Sequence, residues 1–179
     1  MKIVIAPDSF KGSLSAVEVS DSIERGILNA APDWETYKIP ISDGGEGLVE
    51  VMVTATHGEF VCEKVKDPLN RDIEARFGIL GNSNTAVIEM AAASGLPLLT
   101  KEEQNPLKTT TFGTGQLIKS ALDHDVDKII VGIGGSATVD GGVGMAMALG
   151  IEFLDKEDNS IGPGGGELKH LDHIETENR

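Results

Sequence analysis

Apolar residues along this chain follow two rhythms. In "KIVIA" (2–6), "KIIV" (128–131) and "IEFLD" (151–155) they cluster in short blocks bounded by turn residues, the pattern of buried strands. After the first block, Val19, Ile23 and Ile27 recur at four-residue steps behind Ser15 and Glu18, an S-x-x-E pair. That spacing predicts a capped amphipathic helix of about 15 residues from Ala16. "APDW" ends it. "TYKIPIS" reads as a second strand, with Pro40 marking an edge position or the strand's end, and "LVEVMVTAT" reads as a second helix. Strand, loop, helix, strand, loop, helix is the order of an α/β domain with parallel strands.

From His57 onward apolar and polar residues alternate between turn signals at Asp67-Pro68 and Gly81-Asn82. This predicts antiparallel strands and hairpins with one wet face. A helix over Gly113–Asp123, the strand 128–131, a glycine-rich loop, a helix over roughly 141–149 and the strand 151–155 follow. The polar tail "LKHLDHIETENR" reads as a short, fraying helix. The change of character places a domain boundary near residue 60, giving segments 1–60 and 61–179.

The 179 residues allow one good core or one and a half small ones. Aromatics are only 4% of the chain, so Val, Ile, Leu, Ala and Met must fill that core. A net charge of −14 argues against nucleic acid and anionic membrane as partners, yet leaves a small anion open. Cys62 is the single cysteine, which excludes an intrachain disulfide and fits a reducing cytoplasm. No stretch has the apolar length of a membrane span.

Three loops repeat one plan, a strand followed by Gly or Ser with an Asp and then a helix: "APDSFKGS" (6–13), "SDGGEG" (42–47) and "GIGGSATVDGG" (132–142). In parallel α/β sheets ligands bind beyond the carboxyl ends of the strands, where helix N-termini offer unpaired N–H groups. Any one of Asp8, Asp43 and Asp140 is most simply a helix N-cap. Three in equivalent places point to shared chemistry. Lys11 is the candidate cation for a carboxylate or phosphate, with Ser9 beside it. Gly44, Gly45, Gly134, Gly135, Ser136 and Thr138 offer backbone and hydroxyl groups to an anion. Glu46 either favours the start of its helix or helps hold Mg²⁺ beside Asp43.

Other chemistries are weaker. The chain has no P-loop and no G-x-S-x-G elbow, and its four histidines show no metal spacing with cysteine. Gly132–Ala137 does fit G-x-G-x-x-A, with Glu152 standing 20 residues after Gly132. A dinucleotide-binding oxidoreductase is therefore an alternative, although Gly141-Gly142 suit a longer loop better than a first helical turn.

Taken together and in order, "MKIVIAPDSFKGSLSA", "PISDGGEG", "SGLPLL", "NPLKTTTFGTGQLI" and "VGIGGSATVDGGVGMAMALG" resemble the type 1 glycerate kinase family. The resemblance implies ATP-dependent phosphorylation of D-glycerate to a phosphoglycerate, 2-phosphoglycerate for much of the family, with Mg²⁺ bridging the ATP phosphates. It implies a Rossmann- or flavodoxin-like parallel domain, interrupted by a second, mixed α/β domain across a cleft. On that pattern Asp43 or Asp140 accepts the glycerate hydroxyl proton or orients that hydroxyl, and Asp8 fixes the loop carrying Lys11. Lys11 meets the glycerate carboxylate or the moving phosphoryl group, and the glycine loop with Ser136 cradles substrate or phosphate. The family's later motifs do not appear, so the chain resembles an N-terminal portion with an incomplete first domain. The open apolar face of such a sheet calls for a partner or another copy of the chain. A folded but inactive remnant is a third reading. The kinase reading expects Asp8, Asp43 and Asp140 to converge on one crevice between two lobes.

Overall fold

The computed structural model describes residues 1–176. Strand β1 (Lys2–Ile5) pairs in parallel with β2 (Glu35–Lys38), from Lys2 opposite Glu35 to Ile5 opposite Lys38. Helix α1 (Ala16–Ala30) makes the crossover between them. It starts as the sequence predicts: Ser15 Oγ accepts from the Glu18 amide at 3.3 Å, and Glu18 Oε2 accepts from the Ser15 amide at 2.8 Å. Two of the orphan N–H groups of the first turn are thereby satisfied.

The parallel pairing outlasts β2. The amides of Ile39 and Ile41 donate to Ile5 O at 2.8 Å and Pro7 O at 3.0 Å. Alternate amides therefore face β1, and the missing N–H of Pro40 falls on the far side, where no bond is lost. This extension delivers the chain to the loop at 42–47. Ile5 and Val19 are buried where α1 meets the sheet, while Val4, Tyr37, Ile39 and Ile41 are exposed.

The second sheet has the order β3-β4-β5-β6, made of β3 (Glu59–Lys66), β4 (Asp72–Ile79), β5 (Thr85–Glu89) and β6 (Lys128–Gly132). Its first two pairings are antiparallel and β5–β6 is parallel. The crossover from β5 to β6 runs through the short α3 (Ala91–Ser94), a 3-10 turn at Leu96–Leu98 and α4 (Phe112–Leu122). One face of the sheet packs Val65, Phe77 and Ile88 against Leu117 and Ala121 of α4. The other packs Leu80 and Val87 against Val49 and Val53 of α2 (Leu48–Thr56). The alternating pattern predicted one wet face here. Edge strand β3 keeps that alternation, but β5 is buried on both faces because α2, from earlier in the chain, covers the second side.

A small C-terminal unit packs Val143 of α5 (Val143–Ala148) against Phe153 of β7 (Glu152–Leu154) and Ile161. The predicted tail helix is replaced by two elements, a 3-10 turn over Gly165–His170 and the strand β8 (His173–Glu175). β8 pairs antiparallel with β7, Ile174 opposite Phe153. Backbone bonding to an available strand edge decides this, and side-chain polarity carried no sign of it.

Ser15→Ala removes one half of the α1 capping box and is expected to cost about 1 kcal/mol in urea unfolding, with no change in m-value.

Candidate active site

The ends of β1, β2 and β6 bring two of the three loops into direct backbone contact. The Gly134 amide donates to Gly44 O at 3.2 Å. A Cβ on Gly134 would lie 2.7 Å from the Gly45 Cα, so only a residue without a side chain permits this approach. The first loop joins through Lys11, whose Nζ lies 3.4 Å from Asp43 Oδ2. The other Asp43 oxygen accepts the Gly45 amide at 3.0 Å. That amide first, and Lys11 second, hold the Asp43 carboxyl below the usual aspartate range. Both side chains are exposed. Such a pair adds little to stability, and its polar atoms remain open to a ligand.

Beside this pair lies a cavity of about 450 Å³, lined among others by Ser9, Lys11, Ser13, Glu46, Arg76 and Glu89. Its size is that of a small-molecule site. Gly44 and Gly47 have φ of +89° and +92°, and nothing lies within 4 Å of where a side chain would begin. A ligand atom can therefore come directly against the main chain at these turns.

The remaining expected residues fall in different places. Asp8 accepts the Ser9 amide at 2.6 Å, and the turn that carries Lys11 is closed by the Ser13 amide donating to Phe10 O at 2.8 Å. Ser136 and Thr138 hold each other within the glycine loop, with hydroxyls 2.8 Å apart and the Thr138 amide donating to Ser136 Oγ at 3.1 Å. Gly135 stands at φ +74° in the same loop. Asp140 was expected to face the crevice, but it is turned inward and only 1% exposed. Its carboxylate accepts from Thr110 Oγ1 at 3.3 Å, the Thr111 amide at 2.8 Å and Thr111 Oγ1 at 2.9 Å. The amides of Gly142 and Gly144 add bonds at 3.1 and 3.2 Å. A buried carboxylate requires such saturation. The structure thus joins Lys11 and Asp43 at one opening and sets Asp140 beneath the glycine loop.

Arg76, Glu89, Thr110 and Thr111 escaped the sequence reading. The Arg76 guanidinium lies 4.5 Å from the centre of the Phe60 ring. Glu89 ends β5, and its Oε1 accepts the Val49 amide at 2.7 Å. Burial pushes the Glu89 carboxyl up, while the amides of Val49 and Gly47 and the charge of Arg76 pull it partly back. The available signals were an acid closing an apolar strand in "AVIEM" and the threonine run "TTT" before a helix.

The dinucleotide alternative is set aside by the backbone. That motif needs a helix opening at its glycines. Here the chain runs in a loop from Ile133 to Gly142 before α5 begins, and Glu152 pairs with Glu175 in a separate sheet. Among the described residues, no helix is long and apolar enough to cross a membrane, and no group of three or more His, Cys, Asp or Glu is placed to hold a metal ion.

The profile of the glycerate kinase family matches residues 3–179. A glycerate kinase of Bacillus subtilis (strain 168) is 53% identical over 176 residues, which are 98% of this chain and 46% of that protein. A glycerate 2-kinase of Escherichia coli (strain K12) is 52% identical over 175 residues, 98% of this chain and 46% of the relative. A crystal structure described provisionally as glycerate kinase 2 from Salmonella typhimurium LT2 superposes with a TM-score of 0.85 at 52% identity, covering 97% of this chain and 46% of that one. The chain spans about half the length of the curated relatives it matches.

Two outcomes test the site. Asp140→Ala leaves buried donors unmet and is expected to cost at least about 3 kcal/mol in chemical denaturation. Lys11→Met removes one of the causes that hold Asp43 low, so its carboxyl moves up toward the ordinary value of about 3.9. A ¹³C NMR titration of the Asp43 carboxyl reads that shift.

Proposed function

Because this chain belongs to the glycerate kinase family, we propose that its cavity receives D-glycerate for phosphorylation by ATP, with 2-phosphoglycerate as product. The observation that carries this reading is the Lys11–Asp43 pair, a cation and a carboxylate 3.4 Å apart, with Lys11 on the wall of a cavity of small-molecule size. D-glycerate has the complementary parts, a carboxylate for Lys11 and a hydroxyl for Asp43.

Phosphoryl transfer through a loose transition state rests on positioning and charge neutralisation. Asp43 accepts a hydrogen bond from the reacting hydroxyl, orients its oxygen and takes up its proton as that oxygen bonds the γ-phosphorus of ATP and the bond from this phosphorus to ADP breaks, ADP leaving. The Asp43 carboxyl is ionised throughout the neutral range, as an ordinary aspartate is. The Gly135 amide and the hydroxyls of Ser136 and Thr138 are the donors offered to the phosphates, while Gly44, Gly45 and Gly134, whose amides bond Ser42, Asp43 and Gly44 O, shape the main-chain surface beside them. Asp8 fixes the turn that presents Ser9 and Lys11. Asp140 holds the glycine loop from below through Thr110, Thr111 and the amides of Gly142 and Gly144. Mg²⁺ is commonly held by one or two carboxylates plus substrate phosphates. Exposed Glu46 on the cavity wall fits that pattern, and the ion would supply charge neutralisation at the phosphates when bound. In this reading segments 1–60 and 61–179 are the parts of two α/β lobes that meet at the cavity, the first of them Rossmann-like.

Calorimetric titration of the wild-type chain with D-glycerate, followed by a coupled assay of ATP-to-ADP turnover, tests the assignment. Where turnover is measurable, Asp43→Asn is expected to lower kcat by about 10²–10⁴, and Lys11→Met to act mainly on KM for glycerate. A loss of less than threefold removes Asp43 from the mechanism. Binding of D-glycerate without turnover assigns the chain the receiving part of the enzyme alone, and no binding of D-glycerate overturns the reading.

A further inference from the structure

We propose that Glu89 is a positioning residue of this site, holding the start of α2, and with it the Asp43–Gly47 loop, in the geometry that receives the ligand. The inference rests on the function proposed above for the choice of ligand.

Helix α2 begins at Gly47 with φ +92° and has no side-chain cap of its own. The residues that cap a helix best, Ser, Thr, Asp and Asn, need an extended backbone at that position, and a φ of +92° denies it to them. The acceptor for the first free amides must come from elsewhere. It comes from 40 residues away, where Glu89 Oε1 meets the Val49 amide at 2.7 Å. The Gly47 amide faces the same carboxylate and favours its charged form.

Glu89 is well placed to transmit order. Its backbone stands opposite Gly132 in the β5–β6 register, and the amide of the next residue, Met90, donates to Gly132 O at 2.9 Å. Gly132 in turn lies so close to the other loop that a Cβ there would be 2.5 Å from Gly44 O. The end of β5 therefore touches both halves of the site, the glycine loop through its main chain and the Asp43 loop through the Glu89 side chain. Glu89 also shares the cavity wall with Lys11, Arg76, Glu46 and Glu50.

The test uses amide hydrogen exchange by NMR and D-glycerate titration on the full chain. In E89A the Val49 amide is expected to exchange about tenfold faster, the factor that loss of one charge-assisted hydrogen bond gives, and D-glycerate affinity to fall at least about fivefold with the loosened loop. E89Q keeps an acceptor oxygen and is expected to stay within about threefold of wild type in both readouts. Lys11→Met, as a control, weakens D-glycerate binding and leaves exchange unchanged. Unchanged exchange in E89A overturns the proposal, as does equal loss of affinity in E89A and E89Q without faster exchange, which would make Glu89 a ligand contact. If wild type binds no D-glycerate, the functional reading fails, and the exchange rates still decide whether Glu89 holds the loop. Should E89A not fold, E89D, with its carboxylate one methylene short of Val49, gives the same readouts.

Discussion

A buried carboxylate imposes the order of this site. Asp140 sits where two helices begin: α4 follows directly on Thr111 and α5 on Gly142, and both segments donate to its oxygens. Burying a charge among neutral donors is unfavourable unless each lone pair is met, so the Thr110–Thr111 segment and the Gly142–Gly144 turn have little freedom to part. Thr111 Oγ1 also accepts the Met145 amide at 2.8 Å, fastening the first turn of α5 to the start of α4. The bracing continues outward. The Thr110 amide donates to Pro68 O at 3.0 Å, and buried Asp67 holds its own turn through the amides of Leu69 and Arg71 at 2.8 and 2.9 Å. The glycine loop is rigid from beneath and open from above.

The cavity side is organised differently. Its groups come from loops whose contacts are few and specific: one backbone hydrogen bond between Gly134 and Gly44, one ion pair between Lys11 and Asp43, and one distant carboxylate at the start of α2. A surface ion pair of this kind is weak in water. It gains strength only when a ligand displaces the solvent around it. A firm floor under a lightly held rim suits a site that must admit a small polar molecule and then close around it.

Much of this was legible in the sequence. The strand blocks, the Ser15–Glu18 capping box and the three Asp-bearing loops are local signals, and each appears where the residues place it. Lys11 and the paired glycines at 44–45 marked two loops that the structure joins through the Lys11–Asp43 pair. What stayed hidden depends on long-range packing. Asp43 and Asp140 occupy equivalent places in their loops, yet one is exposed and the other is 1% exposed, because only the second meets Thr110 and Thr111. Glu89 drew no notice in the sequence, since nothing near it shows that the Val49 amide needs an acceptor. The second covered face of β5 was hidden for the same reason: its cover, α2, precedes it by about a strand pair and belongs by sequence to another part of the chain.

The contact between Gly134 and the Gly44–Gly45 turn has an evolutionary consequence. The constraint runs one way: a Cβ on Gly134 would meet the Gly45 Cα at 2.7 Å, whereas one on Gly45 would meet the Gly134 Cα only at 3.6 Å and one on Gly44 would meet nothing within 4 Å. Bulk at Gly134 is tolerated only after the facing turn has retreated, so the fitness of a change there depends on what the other loop has already done. Divergence among descendants of this chain should therefore reach Gly134 last.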